Sequence, residues 1–371
     1  MSFNQETIDL GNDRITNLYW VELDKSRIKF KLSTRKRLAP LRDFDVPKKN
    51  MVAGINFGSY FLSDDPVSPL VPFYNLSIKA GSVYQFPTNN RPVLWTKNGE
   101  IEVLSLRATG QLKIAENIFT WSGSGIKNES DITVFGMFDI NIVKVGGDSQ
   151  TPRRKVEYES QFVPCNNGEI LFGVRIVNSE SVIDDISEKP LNLTQFAYIF
   201  KGRNEKLGGC KLGQKIGSIT IDKKNILSGD DACSASFSLG KTNKELVENL
   251  RLQLVYPKDG QPKPMLGNYL KSWSVVMETS KNIIFFINDA RPQINNQEGI
   301  NVFELQDILR NKFDYLWACV GDSGQSSKLM VKKGDIREIY GNMHYKNLKR
   351  QPPVWDGVRG RRIPVALLAY E

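Results

Sequence analysis

Residues 281–332 constrain the fold more than any other part of the chain; they read KNIIFFINDARPQINNQEGINVFELQDILRNKFDYLWACVGDSGQSSKLMVK. Residues 283–287 form an unbroken apolar run, short enough for a strand buried on both faces. The run ends at Asn288-Asp289-Ala290-Arg291-Pro292, and a polar loop occupies 293–299. Val302, Leu305, Ile308, Leu309 and Phe313 then recur at helical spacing, which predicts a helix with one inward face. Asn301 stands where an N-cap is expected. A second apolar run, 316–320, stops at Gly321-Asp322-Ser323-Gly324-Gln325-Ser326-Ser327, and Leu329-Met330-Val331 resumes the sheet.

Each apolar run therefore opens into a polar loop that carries an aspartate near its start, Asp289 in one and Asp322 in the other. The helical crossover predicts that the two strands are parallel neighbours, with both carboxylates at one edge of the sheet. Ligand sites in sheets of this kind lie at such carboxyl edges. The second loop is rich in Gly and Ser, whose amides and hydroxyls suit a phosphate or sugar hydroxyls.

At 371 residues the chain can bury a large core, and its 40% hydrophobic and 25% charged content is that of a folded protein. It has no apolar stretch of the length a membrane helix needs, so no membrane span is expected. The start, MSFNQETIDLGNDR, lacks the basic and apolar regions of a secretory signal, giving the expectation of a soluble chain, intracellular or trimmed. Cys165, Cys210, Cys233 and Cys319 are widely spaced, which argues against a zinc site, and Cys319 reads as a buried thiol. The single histidine, His344, rules out multi-histidine metal sites, and no cofactor is expected. The net charge of +9 favours anionic partners, phosphate-bearing substrates or nucleic acid among them. Basic residues are nonetheless scattered, without the aromatic interleaving of a nucleic-acid groove, and nothing in the sequence sets an oligomeric state.

Along the chain, residues 1–45 alternate as strands around an Asp24-Lys25-Ser26 turn and are expected to pack on a main domain spanning 46–371. Residues 51–61 read MVAGINFGSYF, a short apolar strand ending at Asn56. Residues 93–103 predict a hairpin about Asn98-Gly99. The stretch 104–255 is rich in short strands, at 118–121, 132–135, 140–143, 170–174, 196–200 and 216–221, with a short helix near 244–250. Asp185, Asp230 and Asp231 fit solvated turns better than a cation site, because calcium-loop spacing is absent. The fold class expected is α+β, β-rich with mixed sheets and few helices.

These motifs, in this order, resemble the phosphodiester glycosidase family, which includes the enzyme that uncovers mannose-6-phosphate by removing N-acetylglucosamine. The segment around Asn56 is similar to its I-N-G-G-F-F. Asp289-Ala290-Arg291 stands at its D-G-R, Glu304-Leu305 at its helical Glu-Leu, and the 322–327 loop at its D-G-G-G-S-S. Arg362-Ile363-Pro364 is similar to its closing R-x-I-P. The resemblance implies a hydrolase cleaving the glycosidic bond of a sugar-1-phosphodiester. It implies Asp322, Asp289 and Glu304 as catalytic carboxylates, Lys271 and Arg291 as phosphate-holding cations, and Asn56, Ser323, Gly324, Ser326 and Ser327 as substrate-binding groups. Lys271 stands where the family carries arginine and brings charge without a bidentate fork. Ala290, Ser323 and Gln325 replace family glycines, and side chains there conflict with a loop that needs positive φ. That leaves open a second reading, a scaffold that binds a phosphorylated sugar, nucleotide or protein partner without catalysis.

Overall fold

A computed structural model describes residues 1–39, 41–44, 50–58, 76–87, 91–124, 126, 129–136, 142–144, 156–158, 162–253, 270–290, 299–334, 336–341, 344–345, 355–356 and 363–371. The chain falls into two compact units, one made of 1–59, 94–104 and 235–371, the other of 60–93 and 105–234.

The first unit is built on two large sheets. The six-stranded sheet runs in the order Ser2–Gly11, Arg14–Asp24, Asn282–Asn288, Ser274–Thr279, Tyr315–Val320, Phe237–Ser238. The apolar run 283–287 is its middle, and both faces are buried as expected. Ile284 and Phe286 face the helix side with Val275, Met277, Ala318 and Val320, and Phe285 meets Phe30 of the other sheet edge-on at 6.2 Å. The second sheet has the order Ile336–Gly341, Lys328–Lys333, Met51–Asn56, Ile363–Tyr370, Lys29–Ala39. Strands from residues 1–45 thus enter both sheets.

Two expectations about this region change. The strands 282–288 and 315–320 do run the same way, but they are not neighbours: Ser274–Thr279 lies between them, antiparallel to both. Its sequence, SVVMET, carries too little periodicity to announce a central strand. The segment 329–331 does not resume the same sheet. It crosses to the second one and pairs with Ala53, Gly54 and Ile55. Leu316 also departs from the buried-run reading, being exposed on a strand whose inward residues are Tyr315, Ala318, Cys319 and Val320.

The helix Val302–Lys312 forms where the periodicity placed it and packs Val302, Leu305 and Leu309 onto the six-stranded sheet. Asn301 caps it, accepting from the Phe303 and Glu304 N–H groups at 2.9 and 3.0 Å. Glu304 returns the bond by accepting from the Asn301 N–H at 2.8 Å, completing a capping box. Gln306 is a polar residue on the buried face. Its amide donates to the Leu239 and Thr242 carbonyls at 2.7 and 3.1 Å and ties this helix to the start of the Asn243–Gln253 helix.

The second unit is built on an eight-stranded mixed sheet, in which 117–123 and 132–136 pair in parallel and the other pairings among the described residues are antiparallel. The strands expected from sequence fall within it, except that the one expected at 196–200 begins at Tyr198, that 140–141 lie outside the described residues and that 142–144 pairs separately with 156–158. Phe86, Trp121, Tyr198 and Phe200 form its aromatic core. Together the described residues make a mostly β protein, with helices only at Asn204–Leu207, Asn243–Gln253 and Val302–Lys312 beside short 3₁₀ turns. The β-rich, helix-poor expectation holds and its α+β class is corrected: the described residues between 104 and 234 form mostly strands, with one short helix at Asn204–Leu207. Among the described residues no helix is long and apolar enough to cross a membrane.

The capping box gives a direct test of local stability. Asn301→Ala removes both bonds to the first helical turn and is expected to cost about 1 kcal/mol, read as a shifted urea midpoint at unchanged slope. Asn301→Asp keeps the acceptor and is expected to retain most of the stability.

Candidate functional site

Three chain ends meet around the Asn56 side chain: the end of 51–56, the loop after 315–320, and the start of 328–333. Asn56 is fully buried. Its Nδ2 donates to the Asp322 carbonyl at 2.9 Å, and its Oδ1 accepts from the Lys328 N–H at 2.8 Å and the Ser274 hydroxyl at 2.6 Å. Asn56 and Asp322, 266 residues apart in sequence, are therefore in direct contact, through the amide of one and the backbone of the other. The Asn56 amide is engaged by protein groups on both its oxygen and its nitrogen, so its observed work is to fix the loop.

Asp322 itself is half-buried, and its Oδ1 accepts from the Ser323 N–H at 3.1 Å. Ser323 has extended backbone (φ −119°), and Gly324 has φ +76°. Gln325 and Ala290 are not among the described residues with positive φ. The position in the 322–327 loop that needs glycine still has it, so the replaced glycines do not strain the backbone there. Gly324 donates its N–H to the Ser272 carbonyl at 2.8 Å and closes a one-turn 3₁₀ segment, Gly324–Ser326. Ser326 and Ser327 are buried, and their hydroxyls have no hydrogen-bond partner among the described residues.

Lys271 lies beside this loop. Its N–H and C=O exchange bonds with Ile300 at 3.1 and 3.2 Å. Its ammonium rests 4.2 Å from the centroid of the Trp273 ring. Burial pushes the Lys271 pKa down to about 8, partly opposed by the charge of Asp322. Asp289 comes to the same end of the six-stranded sheet and is buried at 1% exposure. Its N–H donates to the Asn17 carbonyl at 2.8 Å, and its carbonyl accepts from the Thr16 hydroxyl at 2.8 Å.

Glu304 is occupied elsewhere. Beside its place in the capping box it is held bidentately by Arg14, at 2.9 and 3.0 Å, and Arg14 also donates to the Gly299 carbonyl at 3.1 Å. The carboxylate thus anchors the 299–301 turn against which Lys271 pairs. Arg291 lies outside the described residues, as does the side chain of His344.

Sequence reasoning missed three contributors. Asn288, fully buried, bonds the backbones of Lys271 and Trp273. Lys328 is buried at 2% exposure at the start of its strand. Arg14 supports the helix start from a strand almost three hundred residues away. The only signal for Asn288 was a polar residue closing an apolar run, which reads equally as a strand end.

Among the described residues no group of three or more His, Cys, Asp or Glu is arranged to hold a metal ion. The Asp230 and Asp231 carboxylates accept from the Leu227 and Ala80 N–H groups, each at 2.8 Å, as turn caps do. All four cysteines are free, and burial raises Cys319 to about 12.

No protein-family model matches the sequence, and no curated protein sequence matches it. Solved structures do share its fold. A hypothetical protein from Synechocystis is 13% identical with a TM-score of 0.53, over 100% of this chain and 62% of that one. A protein from Burkholderia pseudomallei provisionally called exported is 13% identical with a TM-score of 0.55, over 96% of this chain and 74% of that one. The chain thus spans less than two thirds of the Synechocystis protein. The catalytic domain of zebrafish N-acetylglucosamine-1-phosphodiester alpha-N-acetylglucosaminidase, auto-inhibited by its pro-peptide, aligns at 9% identity and a TM-score of 0.44, over 100% of this chain and 83% of that one. That score carries no weight for fold or chemistry.

Two measurements check this geometry. Asn56→Leu strands the Lys328 N–H, the Ser274 hydroxyl and the Asp322 carbonyl in the interior, and is expected to cost about 3 kcal/mol or more in urea denaturation. Asn56→Asp sets an acceptor against the Asp322 carbonyl and is expected to fare no better. The second concerns Lys271, whose folded pKa of about 8 lies below the ordinary lysine value of 10.5. Below about 8 the ammonium is charged in both states and its burial penalises the fold. Between about 8 and 10.5 the unfolded chain binds more protons, so this group's contribution to stability rises with pH. Lys271→Met is therefore expected to melt higher than wild type at pH ~7, with the gap closing across that window.

Proposed function

We propose that the chain is a glycoside hydrolase that cleaves the bond between a sugar and a phosphodiester. The observation that carries this reading is the opposed pair at one end of the six-stranded sheet: the half-exposed Asp322 carboxylate and the Lys271 ammonium that feels its charge. The order and spacing of the Asn56, Asp289 and Asp322 segments support it, as does the contact between the first and last of them.

In this mechanism Lys271 holds the substrate phosphate, with Arg291 as a second cation. The bond from the anomeric carbon to the phosphate oxygen breaks, and its electron pair leaves with the phosphate. The departing phosphate monoester anion is a good leaving group, so one carboxylate suffices where other glycosidases use two. Asp322 faces the developing oxocarbenium ion and stabilises it through charge. Water then adds to the anomeric carbon and its proton passes to Asp322 or to solvent. Asp289 is the second carboxylate of the site, buried enough to act on electrostatics more than on substrate. Ser323, Gly324, Ser326 and Ser327 offer amides and hydroxyls to the sugar or phosphate, and the unpaired Ser326 and Ser327 hydroxyls favour a polar group beside them. Asn56 and Glu304 serve as positioning residues, the one for the Asp322 loop, the other for the turn against Lys271.

One observation favours the alternative, a protein that binds a phosphorylated ligand without turning it over. Asn56 and Glu304, two residues expected at the substrate, have their side chains bonded within the protein.

The test is release of free sugar from a panel of sugar-1-phosphodiesters. Asp322→Asn keeps the acceptor oxygen for the Ser323 N–H and removes the charge. It is expected to lower turnover by roughly a hundredfold to a thousandfold at unchanged melting temperature. Undiminished turnover in the variant would remove Asp322 from the chemistry. Binding of panel members without any sugar release by wild type would favour the ligand-binding reading.

A further inference from the structure

A lysine in place of an arginine poses a geometric problem. Its ammonium is a point charge on a flexible four-carbon stem, and nothing in the group itself fixes a direction. At Lys271 the protein supplies the direction through its surroundings. Trp273, fully buried, presents its ring face to the ammonium at 4.2 Å. The ring is locked, because its Nε1 donates to the Ile300 carbonyl at 2.8 Å.

Both members of this pair are gripped by one side chain. The Asn288 Nδ2 donates to the Lys271 carbonyl at 3.1 Å, and its Oδ1 accepts from the Trp273 N–H at 2.8 Å. The same Nδ2 donates to the Asp289 carbonyl at 3.1 Å. Asn288 is fully buried at the last position of the central strand, so its own place is set by the sheet. Its carbonyl accepts from the Ser272 hydroxyl, and Ser272 in turn receives the Gly324 N–H of the Asp322 loop. On the far side of Lys271, Gly299 at φ +90° brings its backbone so close that a Cβ would stand 2.6 Å from the Lys271 oxygen.

We propose that Asn288 is a positioning residue, which seats the Lys271 ammonium on the Trp273 ring and so aims it at the Asp322 end of the site. The assignment rests on the reading of Lys271 as the phosphate-holding group. The amide is neutral, so it orients the cation without altering the charge balance that Asp322 provides. Only Asn at this position offers a donor to Lys271 and Asp289 together with an acceptor for Trp273 on a stem this short. Removing its side chain takes away the bonds to the Lys271 carbonyl and the Trp273 N–H and leaves 271–273 tied to the central strand only through the Asn288 backbone. The ammonium then leaves the ring for water, and its titration returns toward that of an exposed lysine.

The experiment reads Lys271 directly. The rate of its modification by a small amine-reactive reagent is followed by mass spectrometry across pH, in intact wild type and in Asn288→Ala and Asn288→Ser. In wild type the midpoint is expected near 8, and in the variants it is expected to move toward 10.5. KM for the sugar phosphodiester is expected to rise about tenfold, with a smaller fall in kcat. Adding Asn288→Ala to Lys271→Met is expected to change neither constant further. A wild-type midpoint near 10.5 overturns the proposal without recourse to any variant. An unshifted midpoint in folded variants, or full additivity with Lys271→Met, also overturns it. A shifted midpoint in a protein that releases no sugar upholds the positioning role and counts only against the hydrolase reading.

Discussion

One carboxamide holds the candidate site together. The Asn56 side chain bonds a loop carbonyl, a strand N–H and a serine hydroxyl that belong to three separate stretches of chain. Each partner is a polar group at the end or start of a strand, where ladder pairing ceases and an interior donor or acceptor must be satisfied some other way. Aspartate lacks the donor, and glutamine is a methylene too long for a cavity this closed. Gly321 reinforces the arrangement: a Cβ there would come within 3.0 Å of the Phe57 ring. The Asp322 loop is thereby pressed against the strand that carries Asn56 and kept in register with it.

Asn288 repeats the device at the end of a strand in the six-stranded sheet. Both asparagines are fully buried, both close an apolar strand, and both turn a neutral amide onto backbone groups next to a charged residue. The division of labour follows from electrostatics. A charged scaffold residue would need a partner of its own and would shift the titration of Asp322 or Lys271. A neutral amide fixes geometry and leaves the local field to Asp322 and Lys271. Glu304 shows how the protein manages when a carboxylate does serve the scaffold: Arg14 holds it bidentately, and the Asn301 N–H completes its coordination.

What the sequence revealed depended on whether the deciding contacts were local. The helix 302–312 was legible because its apolar period, its cap and its Glu at the third position lie within a dozen residues. The double-sided burial of 283–287 was legible from an unbroken apolar run. The order of strands was not, because Ser274–Thr279 inserts between two strands that the crossover alone would have joined. Nor was the passage of 328–333 into a second sheet, since a one-turn 3₁₀ segment looks like any tight turn. The glycine replacements misled for a related reason. The sequence shows which glycines are missing, and only the backbone shows that Gly324 is the one in the loop at positive φ. The meeting of Asn56 with Asp322 was anticipated from motif order; the bond that joins them, amide to backbone, was not.

The partial burial of Lys271 links these features to function. A cation that is to bind phosphate tightly should be poorly hydrated, because each hydrogen bond to water must be exchanged for one to the ligand. Stacking on the Trp273 ring removes water from one side of the ammonium and provides a weaker, non-hydrogen-bonding partner in its place. Asp322 then opposes complete neutralisation, so that an ammonium with a pKa of about 8 remains largely charged at neutral pH. An arginine in the same seat would stay charged without help, and the Trp273 ring and the nearby carboxylate would have less to do. The lysine makes the site depend on its scaffold: burial lowers its pKa, the charge of Asp322 opposes that, and Asn56 holds the backbone of Asp322.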